Sequence, residues 1–152
     1  MTVIINFLYR CLYRCAYPVM QYYWQLSKHA THGAQVAVWV DNSVLLIKNS
    51  YRHGYTFPGG HINQNETAIQ AAVRELREET GININTNQLQ LLNKIHYLRN
   101  GAVCSDTIFQ CQLKDKPAIF IDHREVIKAL FVNLPEVGLL PLQNGIYNQI
   151  SH

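Results

Sequence analysis

Charge is what this chain is short of: only 15% of its 152 residues are Asp, Glu, Lys or Arg, and the formal net charge is +3. So modest a balance gives no general signal for an acidic partner, and it indicates no specific nucleic-acid partner. Acids are missing altogether before Asp41, whereas Arg10, Arg14 and Lys28 fall in that stretch, so the whole excess charge belongs to the N-terminal segment. Cysteine is also sparse. Cys11, Cys15, Cys104 and Cys111 form no CxxC pair, and no His/Cys cluster has the spacing of a structural zinc site. They read as the reduced thiols of a cytoplasmic protein. The opening residues lack a basic n-region and a small-residue cleavage site, and Arg10 and Arg14 interrupt the apolar run. That argues against a signal peptide and against a spanning helix, and leaves a soluble or membrane-surface protein.

What the chain does have is apolar residues, 48% of the total, enough for one domain with a sizeable core. The single shift in composition is KHATHG at 28–33, which reads as a linker and divides the chain into an extension, residues 1–32, and a core, residues 33–152. His29 and His32 are read as linker residues. The runs AQVAVWV (34–40) and SVLLIK (43–48) flank Asp41-Asn42 and predict a hairpin. Further strands are expected at 91–98, 107–113 and 129–132, and a short helix from Leu139. Thr67 and Gln70 form a capping box, good helix formers run from Ala68 to Thr80, and Gly81 supplies the stop.

On a helical wheel, Ile69, Ala72, Val73 and Leu76 share one flank of that helix, while Glu75, Glu78 and Glu79 converge on another. Glutamates at i, i+3 and i+4 repel one another unless something cationic sits among them. A divalent metal satisfies that requirement, and hard oxygen donors without Cys or His favour magnesium or manganese over zinc. A glutamate-rich helix face is more often plain solvated surface. Here, however, it is embedded in GHINQNETAIQAAVRELREETGI at 60–82, where Gly60, Glu66, Arg74, Glu75, Glu78, Glu79 and Gly81 join aliphatic Leu76 and Ile82. Together they spell G-x5-E-x7-R-E-U-x-E-E-x-G-U, with U aliphatic.

In this pattern the chain resembles the Nudix hydrolases, and the hairpin, TFPGG, DTIFQCQL and REVIKALFVNLPEV extend the likeness over roughly 33–140. The resemblance implies an α/β (α+β) Nudix fold, a mixed β-sheet sandwiched between α-helices, with the N-terminal helical extension added to it. It implies metal-dependent cleavage of a nucleoside diphosphate linked to another moiety X, giving a nucleotide and phosphorylated X. By position, Glu78, Glu79 and the carbonyl of Gly59 resemble the principal metal ligands. Glu75 resembles a second-metal ligand or base. Arg74 would orient the carboxylates, and Glu66 would brace the loop. Glu125 matches the place of a further ligand or base, against the alternative of a surface loop residue. The competing reading is a Nudix-fold module that binds nucleotide without hydrolysis.

No substrate-defining motif stands outside the box. Tyr51 and Arg52 could stack on a base and reach a phosphate. Tyr97 lies where dinucleoside polyphosphate hydrolases often carry a tyrosine, although a strand core residue explains it as well. His61 takes no role.

In the extension, Asn6, Arg10, Arg14, Gln21, Gln25 and Lys28 share one stripe of a wheel over 3–28, Tyr9, Tyr13 and Tyr17 recur beside it, and Pro18 should kink or break the helix. The remainder is apolar, so this face must be buried against the domain, a second copy in a homodimer, or an anionic membrane surface.

Overall fold

The structure, a computed structural model, describes residues 2–27, 30–99 and 102–133 together with Glu136. After helix α1 (Thr2–Ser27) come strands β1 (His32–Val40), β2 (Ser43–Asn49) and β3 (Gly59–His61). Helix α2 (Ala68–Thr80) and a 3-10 turn (Thr86–Gln88) follow, then β4 (Gln90–Arg99), β5 (Ala102–Leu113) and β6 (Val126–Asn133). The strands form one mixed sheet in the order β4-β5-β1-β2-β6, with β3 added beside β1.

The apolar run of β1 at 36–40 is explained by its place. It pairs in parallel with β5 from His32↔Ser105 to Val40↔Leu113, and Ala34, Val36, Ala37 and Val38 are fully buried. A strand covered on both faces has no use for alternating polar residues. The hairpin expected at Asp41-Asn42 forms, with Val40 opposite Ser43 and Asp41 in the left-handed region at φ 51°. Aspartate tolerates that conformation in tight turns.

On one sheet face Val36, Val38, Leu45 and Phe109 pack against Ala71, Ala72 and Leu76 of α2. Leu76, fully buried, contributes about 1.5–3 kcal/mol by the area it removes from water. On the other face Ala37, Val44, Leu46 and Ile108 meet Tyr55 and Phe57.

Three sequence expectations change. Helix α1 continues through Pro18 instead of breaking there. Proline removes one amide donor, and the turns on either side carry the helix past it. His32 belongs to β1, where its Nδ1 lies 2.8 Å from Ser105 Oγ, and so is a strand residue. Strands β5 and β6 begin at Ala102 and Val126, ahead of the expected 107 and 129. His29, Lys28 and the helix expected from Leu139 lie outside the described residues.

Of the alternatives for the apolar face of α1, burial against the domain is the one the orientation of the helix disfavours. Among its described residues, Asn6, Arg10, Tyr13, Tyr17 and Gln21 are partly buried and the others are exposed, including Phe7, Leu8, Leu12 and Val19. The polar stripe therefore faces the domain, and the apolar face points away from it. No described helix is long and apolar enough to cross a membrane.

Candidate active site

The site grows from the start and stop of α2. Thr67, extended at φ −79° and ψ 156°, accepts the Gln70 N–H on its hydroxyl at 3.4 Å, while Gln70 Oε1 accepts the Thr67 N–H at 2.9 Å. Gly81 ends the helix in the left-handed region at φ 73°, its N–H donating to the Arg77 carbonyl at 2.9 Å. These caps fix which residues face the β3 loop.

Arg74 is the hub. Its Nε and Nη2 donate to the two oxygens of Glu66 at 2.8 and 2.9 Å, and Nη1 donates to Glu75 at 2.7 Å and to Glu78 at 3.2 Å. Nη2 also reaches the His61 carbonyl at 2.9 Å. Glu66 in turn accepts the Asn63 N–H at 3.1 Å, which ties the loop between β3 and α2 into the same network. The Arg74 bonds hold the Glu66 carboxyl below its usual range, and burial raises that of Glu75.

Glu79 is buried on the same helix. Its oxygens accept the Gly59 N–H at 2.7 Å and the Asn49 amide at 3.4 Å. Burial, reinforced by the nearby charges of Glu75 and Glu125, pushes its carboxyl up to about 8. Two adjacent glycines make this packing sterically feasible. A Cβ on Gly59 would strike the Ala34 carbonyl and Gln35 Cα of β1, and one on Gly60 would overlap the Glu75 carboxylate.

Glu125 arrives from the loop before β6. Tyr51 Oη donates to its carboxylate at 2.7 Å, and its backbone carbonyl accepts the Ser50 N–H at 2.8 Å. Burial and this bond raise the Tyr51 hydroxyl well above its ordinary value, so it stays a donor. Arg52 lies over the rings of Tyr51 and Tyr17, 5.5 and 5.6 Å from their centroids. The structure thus joins Glu66, Arg74, Glu75 and Glu78 in one network, sets Glu79 on Gly59, and brings Glu125 to Tyr51. Tyr97 stands on edge strand β4 opposite Cys104 and takes part in none of these contacts.

Sequence reasoning missed Asn49, Tyr13 and Tyr17 here. The tyrosine rings of α1 lie 5.9 and 4.9 Å from that of Tyr51. The tyrosines recurring beside the Arg10/Arg14 stripe were the available signal. Asn49 had none beyond being polar at the end of a buried strand.

The donors suit a hard divalent cation in their chemistry. The charge of Glu125 adds to what burial does in raising the carboxyls of Glu75 and Glu79, the unfavourable arrangement that a cation would relieve. Arg74 holds Glu75 and Glu78, the Gly59 N–H holds Glu79 and Tyr51 holds Glu125, and among the described residues no three Asp, Glu, His or Cys side chains are gathered closely enough to hold an ion. Glu78, half exposed and bonded to Arg74 at 3.2 Å, is the one freest to turn.

Comparison with known proteins adds to this geometry. The model of the NUDIX domain matches residues 30–151. The Xenopus laevis protein named nucleoside diphosphate-linked moiety X motif 6 is 32% identical over 121 residues, covering 75% of this chain but 56% of that protein, so the chain spans about half the length of this relative. Among solved structures, a C. elegans Ap4A hydrolase binary complex superposes with a TM-score of 0.66 at 22% identity, covering 80% of this chain and 93% of that one. The NUDIX domain of Shewanella oneidensis NrtR complexed with ADP ribose gives a TM-score of 0.68 at 18% identity, covering 80% and 84%. At these identities the structural likeness establishes the fold.

Proposed function

Because the chain belongs to the Nudix family, we propose that it hydrolyses the diphosphate linkage of a nucleoside diphosphate joined to a second moiety X, releasing a nucleotide and phosphorylated X. The observation that carries this reading is the set of box acids on and before α2, with Arg74 joining Glu66, Glu75 and Glu78 and with Glu79 seated on the Gly59 N–H of the glycine loop. Magnesium or manganese, held by Glu78, Glu79 and the Gly59 carbonyl with Glu75 and Glu125 as further donors, would neutralise phosphate charge and make water a better nucleophile.

The residues of the chain do the rest. Water adds to one phosphorus, the bond from that phosphorus to the bridging oxygen breaks, and a carboxylate of the cluster takes the proton of the water. Arg74 keeps Glu75 and Glu78 aimed at the loop instead of apart, and Glu66 braces Arg74. Arg52 is exposed and suited to a phosphate oxygen, Tyr51 borders the same place, and Tyr97 is the more distant candidate for substrate contact. A binding module without hydrolysis is not favoured, since every acid of the box is present.

The test is a screen of nucleoside diphosphate derivatives, ADP-ribose and diadenosine tetraphosphate among them, with magnesium or manganese and identification of the products. Turnover that disappears in Glu78→Gln, with the fold intact by circular dichroism, is expected. Turnover of no compound would shift the assignment to nucleotide binding, and wild-type rates in Glu78→Gln would remove that residue from the mechanism.

We further assign residues 1–32 to an extension and 33–152 to the catalytic domain. The outward apolar face of α1 supports contact with a second copy or with a membrane surface. Arg10 and Arg14 are tethered to the domain, so this face carries little charge for anionic lipid, and a homodimer is the better-supported occupant. Monomers in light scattering combined with binding to anionic liposomes at low salt would reverse that order. Four unpaired thiols support a reducing, cytoplasmic location.

A further inference from the structure

We propose that α1 is a positioning element of the active site, its Arg10 and Arg14 clamping the two loop segments that aim Glu125. This rests on the assignment of Glu125 to the catalytic cluster.

The two segments follow β2 and precede β6. The ladder between those strands ends at Asn49↔Val126, so beyond it the chain needs other partners. Part of the gap is closed by the segments themselves, through Ser50 N–H to the Glu125 carbonyl and Tyr51 Oη to its carboxylate. The carbonyls of Ser50 and His123 are met from α1. Arg14 Nε donates to Ser50 O at 3.0 Å and Arg10 Nε donates to His123 O at 2.9 Å. Residues four apart lie on the same helix face, so one turn of α1 presents one guanidinium to each segment.

Neighbouring contacts reinforce the clamp. Tyr13 and Tyr17 pack on Tyr51, Arg124 lies over the Tyr9 ring at 4.6 Å, and Arg124 Nε donates to Asn6 Oδ1 at 3.2 Å. The loop itself is a turn built on Asp122, whose Oδ1 gathers the amides of Arg124, Glu125 and Val126 at 2.9 to 3.3 Å, with His123 in the left-handed region at φ 58°. That turn leaves the His123 carbonyl to be met by Arg10. Core formation does not explain α1, because none of its described residues is buried.

Glu79 is held apart from the clamp, by the Gly59 N–H and by Asn49 at the end of β2. Loosening α1 would therefore act on Glu125 while leaving Glu79, Arg74 and its partners in place.

The test uses the full chain with Arg10→Ala/Arg14→Ala, Glu125→Gln and the triple variant. Amide hydrogen exchange needs no substrate. The clamp predicts a loss of protection of about tenfold or more at residues 122–126 and 50–51 in the double variant, with α2 and β5 unchanged. Unchanged protection at 122–126, or a uniform loss throughout the domain, would overturn it. With the compound returned by the screen, kcat should fall about tenfold or more in the double variant with KM little changed, and Arg10→Lys/Arg14→Lys should recover most of it. In the Glu125→Gln background the arginine changes should add nothing, since both act through one group. Additive losses would reject the clamp while leaving Glu125 catalytic, whereas a wild-type rate in Glu125→Gln would reject the role of Glu125 itself. Arg10→Ala alone, which removes only the bond to the His123 carbonyl, keeps the same cycle decisive if the double variant folds poorly.

Discussion

Replacing Arg74 with alanine tests the carboxylate network most directly. The guanidinium makes five N–H···O contacts, to Glu66 twice, Glu75, Glu78 and the His61 carbonyl, at 2.7 to 3.2 Å. Its side chain is 22% exposed, those of Glu66 and Glu75 are 16% exposed, and that of Glu78 is 53% exposed. The Glu78 contact resembles a surface pair, whose contribution lies near zero to about 1 kcal/mol. Glu75, whose carboxyl is raised by burial, approaches the buried limit, where removing one partner costs about 3–5 kcal/mol by leaving unneutralised charge, whereas Glu66 keeps more of its solvation. A net loss of about 3 kcal/mol for Arg74→Ala is the resulting expectation, or a fall in Tm of roughly 6–12 °C for a domain of this size. Arg74→Lys should fall between, because a point charge cannot bridge both Glu66 oxygens. The measurement is thermal unfolding in EDTA and again in millimolar magnesium or manganese. A cation among the acids offsets the charge that Arg74 no longer neutralises, so the deficit should shrink with metal. A Tm within about 2 °C of wild type in EDTA, or a deficit that metal leaves unchanged, would refute the reasoning.

The two glycines of β3 should respond differently to alanine. In Gly59→Ala the new Cβ meets β1 backbone that cannot yield without losing its register, so a cost of about 3 kcal/mol or more is expected in denaturant unfolding. In Gly60→Ala it meets the movable end of Glu75, so stability should change by only about 1 kcal/mol while turnover drops; equal stability losses would contradict this. Thr67→Ala removes one half of the capping box and should cost about 1 kcal/mol by the same unfolding assay. Thiol titration at pH 8 should label Cys11 and Cys15 quickly and spare Cys104 and Cys111, which are buried, the latter with its thiol pushed up to about 11; full labelling of the native protein would show that the core opens.

Local chemistry made much of this legible before any coordinates. The caps of α2 depend on residues three or four apart, so Thr67, Gln70 and Gly81 placed both ends of the helix, and 3.6-residue periodicity separated its packing flank from its acids. The Asp41-Asn42 turn was similarly local. What was misread depended on partners remote in the chain. His32 looked like linker because nothing near it in sequence announces Ser105. The wheel drawn for α1 found its polar stripe without saying which way it would turn. Carbonyls of Ser50 and His123, left over at the end of the β2/β6 ladder, drew the arginines inward.

The sequence by itself determined a capped helix carrying three glutamates and an arginine, and hence the class of chemistry, because helix geometry converts spacing directly into direction. The tertiary structure alone decided that Glu125 joins Tyr51, that Glu79 is buried against Gly59, and that α1 grips the loops around them. Those contacts are set by strand order and by the pairing needs of backbone groups beyond the strand ends, and no local spacing encodes either.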